Sequence, residues 1–592
     1  MNDAAPRTSP RITRTIVRVA ALTIVVLVAR VVIGRFSPSI PLDSRLRTVG
    51  LALDTALVCY PIVFVAALVA TIALGDRLVR ENRNPGLEPT DPRRRVRLAR
   101  GLAFSLSIVV GLILLEIAAG VVEFRLNRFP ELPRFDDERK TVASSHHSNA
   151  AREIGLVVLG ESSAAGEPYS AWLSLGKIVA WRIEQTAPGV KVRLHDLATG
   201  GANLRDMHQK LAHLKRKPDI VIIYSGHNEY QSRYEWSRAA YPIEGLSPIE
   251  LISSRRALAG LAYRIGLRSP LCRLIYGIKS KTLLDRPPPP ASRRGLIDVP
   301  PCAPSESDKI LVDFRRRLEA ITAYCKSIGA TPILISPSGN DAGFEPNRSA
   351  PHVYHPDEQM SNLIERDYQT ARRSEKSKPR DSLDYYMMIR GIQPECAEAL
   401  FRSARVLRTL GRGDESRRCF IRARDGDAFP LRASTSFQQM YRLVANDHDA
   451  TLIDSQKLFE AMTDDGILDD RLFIDAQHPV LAAHVALAEA VLAAPALRRV
   501  IGLETTPPER LDVREVAEHF GVVGRDAWFR VAMRAGLFYE KTAEIRFDPS
   551  ERRTKAARFL AAARAVAAGT PAESLAIPGL GVPSHVHGSA DQ

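Results

Sequence analysis

Four short polar segments of this 592-residue chain carry side chains able to do chemistry, and each directly borders an apolar or helix-period run. The first is Gly160-Glu161-Ser162-Ser163-Ala164-Ala165-Gly166, immediately after the run Ile154–Leu159. A serine on a tight turn between a strand and a helix presents its hydroxyl at the open end of a sheet, and flanking glycines let a substrate approach the backbone. The second segment is Asp196-Leu197-Ala198-Thr199-Gly200-Gly201-Ala202-Asn203, and the third is Gly226-His227-Asn228-Glu229. The fourth, Asp475-Ala476-Gln477-His478-Pro479, sets a carboxylate three residues before an imidazole. A hydroxyl, an imidazole and a carboxylate are the parts of base-assisted nucleophilic catalysis. Taken singly, each segment has a plainer reading: an ordinary strand-helix turn, a solvated helix start, a polar turn or a cation site. Their joint occurrence in order, each at an element end, is what points to an active site.

The elements that must position these groups are legible as alternating runs. Strands are expected at Ile154–Leu159, Val190–Leu197, Asp219–Tyr224, Thr331–Ile335 and Thr451–Ile453. Helices are expected at Ala171–Gln185, Leu204–Leu214, Lys309–Ser327 and Pro479–Leu492, with Pro479 suited to the first helical position. Apolar strands separated by helices imply a parallel sheet covered on both faces, whose ligands bind beyond the carboxyl ends of the strands. Two insertions interrupt the alternation. Residues 229–308 hold an apolar-basic helical stretch, Pro248–Ile278, and the stiff run Pro287–Pro290, and read as a lid-like excursion. Residues 350–432 hold a helical linker and a helix pair at about 395–425. There Leu400, Ala404, Leu407, Gly411, Ser416, Phe420 and Ala423 fall at the spacing of one tetratricopeptide-like unit. Residues 503–592 read as a helical, arginine-rich extension from which no chemistry is expected.

The four segments resemble the four blocks of the SGNH (GDSL-type) hydrolase superfamily, with Glu161 and Glu229 standing where that family usually has aspartate. The resemblance narrows to a bacterial membrane-anchored subgroup with a tetratricopeptide-like insertion, through GESSAAGEPY, SGHNEY, ISPSGN and ARDGDAFPLRAS. It covers about residues 150–495 and implies a three-layer α/β/α, flavodoxin-like fold. It also implies that Ser162 is the nucleophile, His478 its base and Asp475 the group that fixes the imidazole. The backbone N–H groups of Ser162 and Gly201 and the Asn228 side-chain amide would form the oxyanion hole, as an anionic intermediate requires. Ser163 is the rival nucleophile. His146, His147 and His227 lack the Asp-x-x-His context, and Asp425, Asp427 and Arg432 either border the pocket or form a packing salt bridge.

The N-terminal part reads as membrane. Residues Thr15–Gly34, Thr55–Leu74 and Gly101–Val122 are each about the length that a helix needs to cross a bilayer, giving three expected spans in residues 15–125 behind a tail of residues 1–14. Asp54 and Glu116 are ionisable groups in or beside spans, read as helix-packing hydrogen bonds or shallow water-exposed positions. Net charge is 82 − 67 = +15, and the first hundred residues hold 16 arginines and 7 acids, so +9 of it surrounds the spans. Charge so placed signals orientation rather than nucleic-acid binding. The loop 76–100, with eight arginines, is expected to be cytoplasmic, which places everything after about residue 125 outside the cytoplasm. Six scattered cysteines offer no zinc spacing, though Cys272–Cys302 and Cys396–Cys419 bridges are open.

The sequence thus leads to a membrane-anchored extracytoplasmic esterase acting on O-acyl groups of a glycan or lipid, with no cofactor and no metal. An O-acyltransferase using the same three residues is the near alternative. A non-catalytic scaffold whose helix pair binds a protein partner is the distant one.

Overall fold

A computed structural model describes residues 67–80, 92–127, 129–135, 152–230, 269–271, 304–349, 358–507, 510–543, 545–546 and 548–582. The chain divides into two compact units, one of residues 1–128 and 235–289, the other of residues 129–234 and 290–592.

In the first unit, residues 67–80 are helical and α1 spans Pro92–Asn127. The 27-residue stretch Val96–Val122 of α1 is long and apolar enough to cross a membrane, and Leu114 and Ile117 on it are 60% and 58% exposed. The expected span 15–34 lies outside the described residues. Only the last part of the expected span 55–74 lies within them, so among the described residues one helix, at the third expected span, is long and apolar enough to cross a membrane. Glu116 is hydrogen-bonded by Ser269 Oγ at 2.5 Å and by Leu271 N–H at 3.2 Å, a packing role as expected of a carboxylate within an apolar helix.

The second unit is built on a parallel sheet in the order β2-β1-β3-β4-β5. Its strands are β1 (Arg152–Gly160), β2 (Val190–Asp196), β3 (Ile220–Tyr224), β4 (Thr331–Ser336) and β5 (Thr451–Asp454). Successive side chains of a strand face opposite ways, and β1, β3 and β4 are buried on both faces, whereas the edge strand β2 is only partly buried. Ile154, Leu156 and Val158 of β1 join one core with α2 (Leu175–Thr186) and the C-terminal helices, while Val157 and Leu159 join another with α3 (Leu204–Leu211) and α4 (Pro304–Ser327). Such two-sided burial is why β1, β3 and β4 read as continuous apolar runs.

After β4 come α5 (Glu358–Ser374), α6 (Pro379–Ile392), α7 (Ala397–Thr409) and α8 (Gly413–Asp425), which share a third core around Tyr368, Leu400, Phe401 and Phe420. The α7–α8 pair is the one foreseen at 395–425: Phe401 meets Phe420 edge-on at 5.3 Å, and Ser416 Oγ donates to Ala404 O at 2.7 Å. Cys396 and Cys419 are both free, so the bridge left open between them is not formed. Of the lid-like insertion 229–308, residues 231–268 and 272–303, which include Cys272, Cys302 and the proline run, lie outside the described residues.

The chain then forms α9 (Thr435–Asp447), β5, α10 (Ser455–Glu460), α11 (Leu481–Ala493) and α12 (Pro495–Ile501), and ends in α13 (Val513–Phe520), α14 (Arg525–Ala543) and α15 (Ser550–Ala567). The expected helix start at Pro479 is corrected. Pro479 lies in an antiparallel bridge with Phe473, extended Val480 caps the helix, and α11 begins at Leu481. The C-terminal extension is part of the main core, since Val516, Trp528, Val531 and Ala563 are buried in it.

Candidate active site

The turn after β1 carries Ser162, and its shape depends on Gly160. A Cβ there would lie 2.6 Å from Tyr224 O, too close for any other residue without moving β3. Hydrogen bonds from Ala165 N–H to Glu161 O and from Glu167 N–H to Ser162 O, both 2.9 Å, wind the turn tightly. Ser162 is 5% exposed. Ser163 Oγ instead donates to Gln477 O at 3.0 Å, a contact that ties the turn to the neighbouring loop, whereas Ser162 Oγ is the hydroxyl next to His478.

The segment Asp475–His478, 316 residues from Ser162, closes over this turn. His478 Nε2 lies 2.8 Å from Ser162 Oγ, and His478 Nδ1 lies 2.7 Å from Asp475 Oδ2. Asp475 Oδ1 also accepts the backbone N–H groups of Gln477 and His478, each at 3.0 Å, so the carboxylate is fixed within its own turn. Burial acts to raise the Asp475 carboxyl, but the His478 ring and these hydrogen bonds outweigh it and hold the group below the usual carboxylate range. A carboxylate that stays ionised against Nδ1 leaves Nε2 free to accept the serine proton.

The three expected oxyanion donors stand at the carboxyl ends of β1, β2 and β3. Gly201 adopts φ +75°, the left-handed region that favours glycine, which turns the chain between β2 and α3. Asn228 donates one amide N–H to Ala202 O at 2.9 Å, so it sits beside the Gly201 turn with its second N–H available.

A residue set that the motifs pointed to only in passing ties the three donors together. Glu161, 1% exposed, accepts Ser225 Oγ and Gly226 N–H at 2.7 Å, His227 N–H at 3.0 Å and Asn228 N–H at 3.1 Å. Glu229 accepts Leu204 N–H at 2.8 Å, just after the Gly201 turn. Burial lifts the Glu161 carboxyl to about 7, against the four hydrogen bonds; burial and the nearby Glu161 charge lift Glu229 to about 8.

His227 is buried as well. Its Nδ1 accepts Ala433 N–H at 3.1 Å, which puts the ring proton on Nε2, and burial with the nearby His478 lowers its pKa to about 3. It is a neutral structural neighbour of His478. His146 and His147 lie outside the described residues.

The segment 338–349 braces the site from beyond β4. Asn340 Nδ2 donates to Asp475 O at 3.0 Å and its N–H to Ala476 O at 2.9 Å. Arg432 in turn holds this segment by donating to Asn340 O and Phe344 O. Asp427 accepts the N–H groups of Asn347, Arg348 and Phe429, and Asp425 accepts Thr435 N–H at 2.9 Å. The three residues left between pocket and packing thus pack. The ISPSGN stretch, singled out in the sequence, contains Asn340 and was the available signal for it. No group of His, Cys, Asp and Glu suited to a metal occurs among the described residues.

Chemically, the Ser162–His478–Asp475 arrangement can take a proton from a serine hydroxyl and stabilise the resulting imidazolium.

No protein-family model matches the chain, and no curated protein matches it. Among solved structures it is similar to a catalytic mutant of an acetylxylan esterase from Geobacillus stearothermophilus, with 12% identity over 60% of this chain and 98% of that chain and a TM-score of 0.26. It is also similar to a lipase/acylhydrolase from Enterococcus faecalis, with 13% identity over 60% of this chain and 100% of that chain and a TM-score of 0.24.

Proposed function

We propose that the protein is a serine hydrolase of carboxylic esters, anchored in a membrane and acting outside the cytoplasm. The observation that carries the reading is the unbroken path from Ser162 Oγ to His478 Nε2 at 2.8 Å and from His478 Nδ1 to Asp475 at 2.7 Å. Ser162 Oγ attacks the ester carbonyl as His478 takes its proton. The carbonyl oxygen becomes an oxyanion, held by the N–H groups of Ser162 and Gly201 and by Asn228. When the C–O bond breaks, His478 returns the proton to the departing alcohol and leaves an acyl-Ser162 ester. Water, deprotonated by His478, attacks that ester, releases the acid and restores the serine. Asp475 stays ionised throughout and stabilises the imidazolium. The substrate class that fits a membrane-held enzyme of this kind is an O-acylated envelope glycan or lipid. The α7–α8 pair is the part suited to a protein partner.

A fluorophosphonate probe tests the nucleophile: it should label the wild type and leave Ser162→Ala unlabelled, and labelling that survives the substitution would sink the assignment. A second reading, O-acyl transfer to a glycan hydroxyl, is favoured by the seclusion of Ser162, 5% exposed, since a shielded acyl-enzyme can outlast water. Acid release measured with and without a glycan acceptor separates the two, because a transferase releases less free acid when the acceptor is present.

A further inference from the structure

We propose that the C-terminal extension forms the binding wall for the alcohol half of the ester, with Phe538 of α14 as its specificity-determining residue. The alcohols it selects are those with a flat apolar ring face, such as the face of a sugar or another cyclic alcohol. The proposal rests on the serine-hydrolase reading.

The argument starts from proton delivery. His478 must hand its proton to the leaving oxygen, so that oxygen comes within hydrogen-bond reach, about 3 Å, of His478 Nε2. Whatever is attached to the oxygen then lies along the open side of the imidazole. Nδ1 is occupied by Asp475 and the backbone of the turn is sealed by Ser163 and Asn340. The ring neighbour is Phe538, edge-on with centroids 5.9 Å apart at 81°.

Phe538 is only half-buried, whereas Ala535 and Tyr539 beside it on α14 are each 1% exposed. An aromatic ring left partly exposed beside a buried imidazole is a surface on which a ligand gains contact. One helical turn earlier, Arg534 places Nη1 2.5 Å from Glu167 Oε2, on the turn that carries Ser162. Helix α14 therefore touches both working parts of the site, the histidine through Phe538 and the nucleophile turn through Arg534.

The helix is also fixed. Beyond its end Arg546 pairs with Glu398 at 3.1 Å, and Arg552 pairs with Glu345 at 3.2 Å and donates to Thr542 O at 3.0 Å, all with buried guanidiniums. Lys555 on α15 reaches Asp470 at 2.6 Å, and Asp470 accepts the Asn340 amide that holds the Asp475 turn. A wall tied this way into the base-bearing segment is part of the site rather than a tail.

The test uses the full-length protein in detergent with two acetates of comparable leaving group, cyclohexyl acetate and ethyl acetate, and acetate release as readout. Phe538→Ala should lower the cyclohexyl-to-ethyl ratio of kcat/KM about tenfold, the order of effect that one aromatic packing contact carries, mainly through KM for the cyclohexyl ester. Phe538→Leu, which keeps apolar volume, guards against a variant that does not fold and should lower the ratio in the same direction. An unchanged ratio in a folded variant overturns the proposal even if both rates fall, because equal losses mean that Phe538 acts only by packing His478. Turnover that persists in Ser162→Ala would instead overturn the hydrolase reading, and this proposal with it.

Discussion

Asp475 shows how much a single side chain decides at this site. Its carboxylate accepts three hydrogen bonds within its own turn, and Asp475→Asn would keep the shape while offering Nδ1 an amide that cannot stabilise an imidazolium. Turnover should fall by about three to four orders of magnitude, by analogy with the same change in other serine triads, with a much smaller change in KM. Steady-state kinetics on an acetate ester would show it, and a loss below tenfold would remove Asp475 from the mechanism. The Glu161 and Glu229 pair makes a second prediction, with a defined sign. A carboxyl whose folded pKa is raised binds more protons folded than unfolded, so its contribution to stability falls as pH rises from the unfolded value toward the folded one. For Glu229 that window runs from the ordinary carboxylate range up to about 8. Glu229→Gln should therefore flatten the decline of melting temperature across that window, whereas Glu161→Gln, which disturbs the N–H groups of residues 226–228, should cost turnover about a hundredfold as a lost oxyanion donor does. The motif residues were legible because their types carry the chemistry. The bracing by Asn340 and Arg432 was visible only as two stretches, ISPSGN and ARDGDAFPLRAS, that carried the family resemblance without a stated role, and Phe538 left no signal, because a phenylalanine in a helix reads as core wherever it points.

Among the elements, β1, β3 and β4 could be placed from apolar runs because a doubly covered parallel sheet imposes the same apolarity on both faces, whereas the partly exposed edge strand β2 showed as an alternation of apolar and charged residues. The start of α11 could not. Proline suits a first helical turn, yet the bridge between Phe473 and Pro479 keeps the chain extended until Val480, a tertiary demand that the local sequence does not carry. The C-terminal pair α14–α15 was legible as helical and illegible as part of the site, since its partners lie far off in sequence: Arg546 meets Glu398 148 residues away, and Arg552 meets Asn347 205 residues away. This clamp supplies a stability prediction. Arg552, fully buried, donates to Glu345, Asn347 and Thr542 O, so Arg552→Ala would leave Glu345 buried without that partner. Removing one member of a buried pair costs about 3–5 kcal/mol. Denaturant unfolding of the detergent-solubilised protein should show a loss of that order, while Arg412→Ala, in the exposed Arg412–Glu415 pair, should change nothing measurable. Equal, negligible effects from both would mean that the extension is not held by this network.

For the whole molecule, the distribution of charge is more informative than its sum. The excess of +15 suggests an anionic partner when taken as a total, but +9 of it lies in the first hundred residues, and the stretch 76–100, expected as a loop but helical at both ends, alone has eight arginines. Basic segments at the end of a span resist translocation, so α1, whose first turns carry Arg93, Arg94, Arg95, Arg97 and Arg100, should deliver its C-terminal end to the opposite side. The Ser162 site would then work in a compartment without ATP or cytosolic acyl donors, which suits a reaction that needs only an ester and water, or an ester and a hydroxyl. The orientation is open to a direct check. Protease added to intact spheroplasts is expected to cut the chain after residue 150, and fluorophosphonate labelling of Ser162 should proceed with a membrane-impermeant probe. If both the chain and the serine are protected until the membrane is permeabilised, the arginine-rich stretch is on the outer side, the site is cytoplasmic, and an envelope glycan is no longer the substrate to seek.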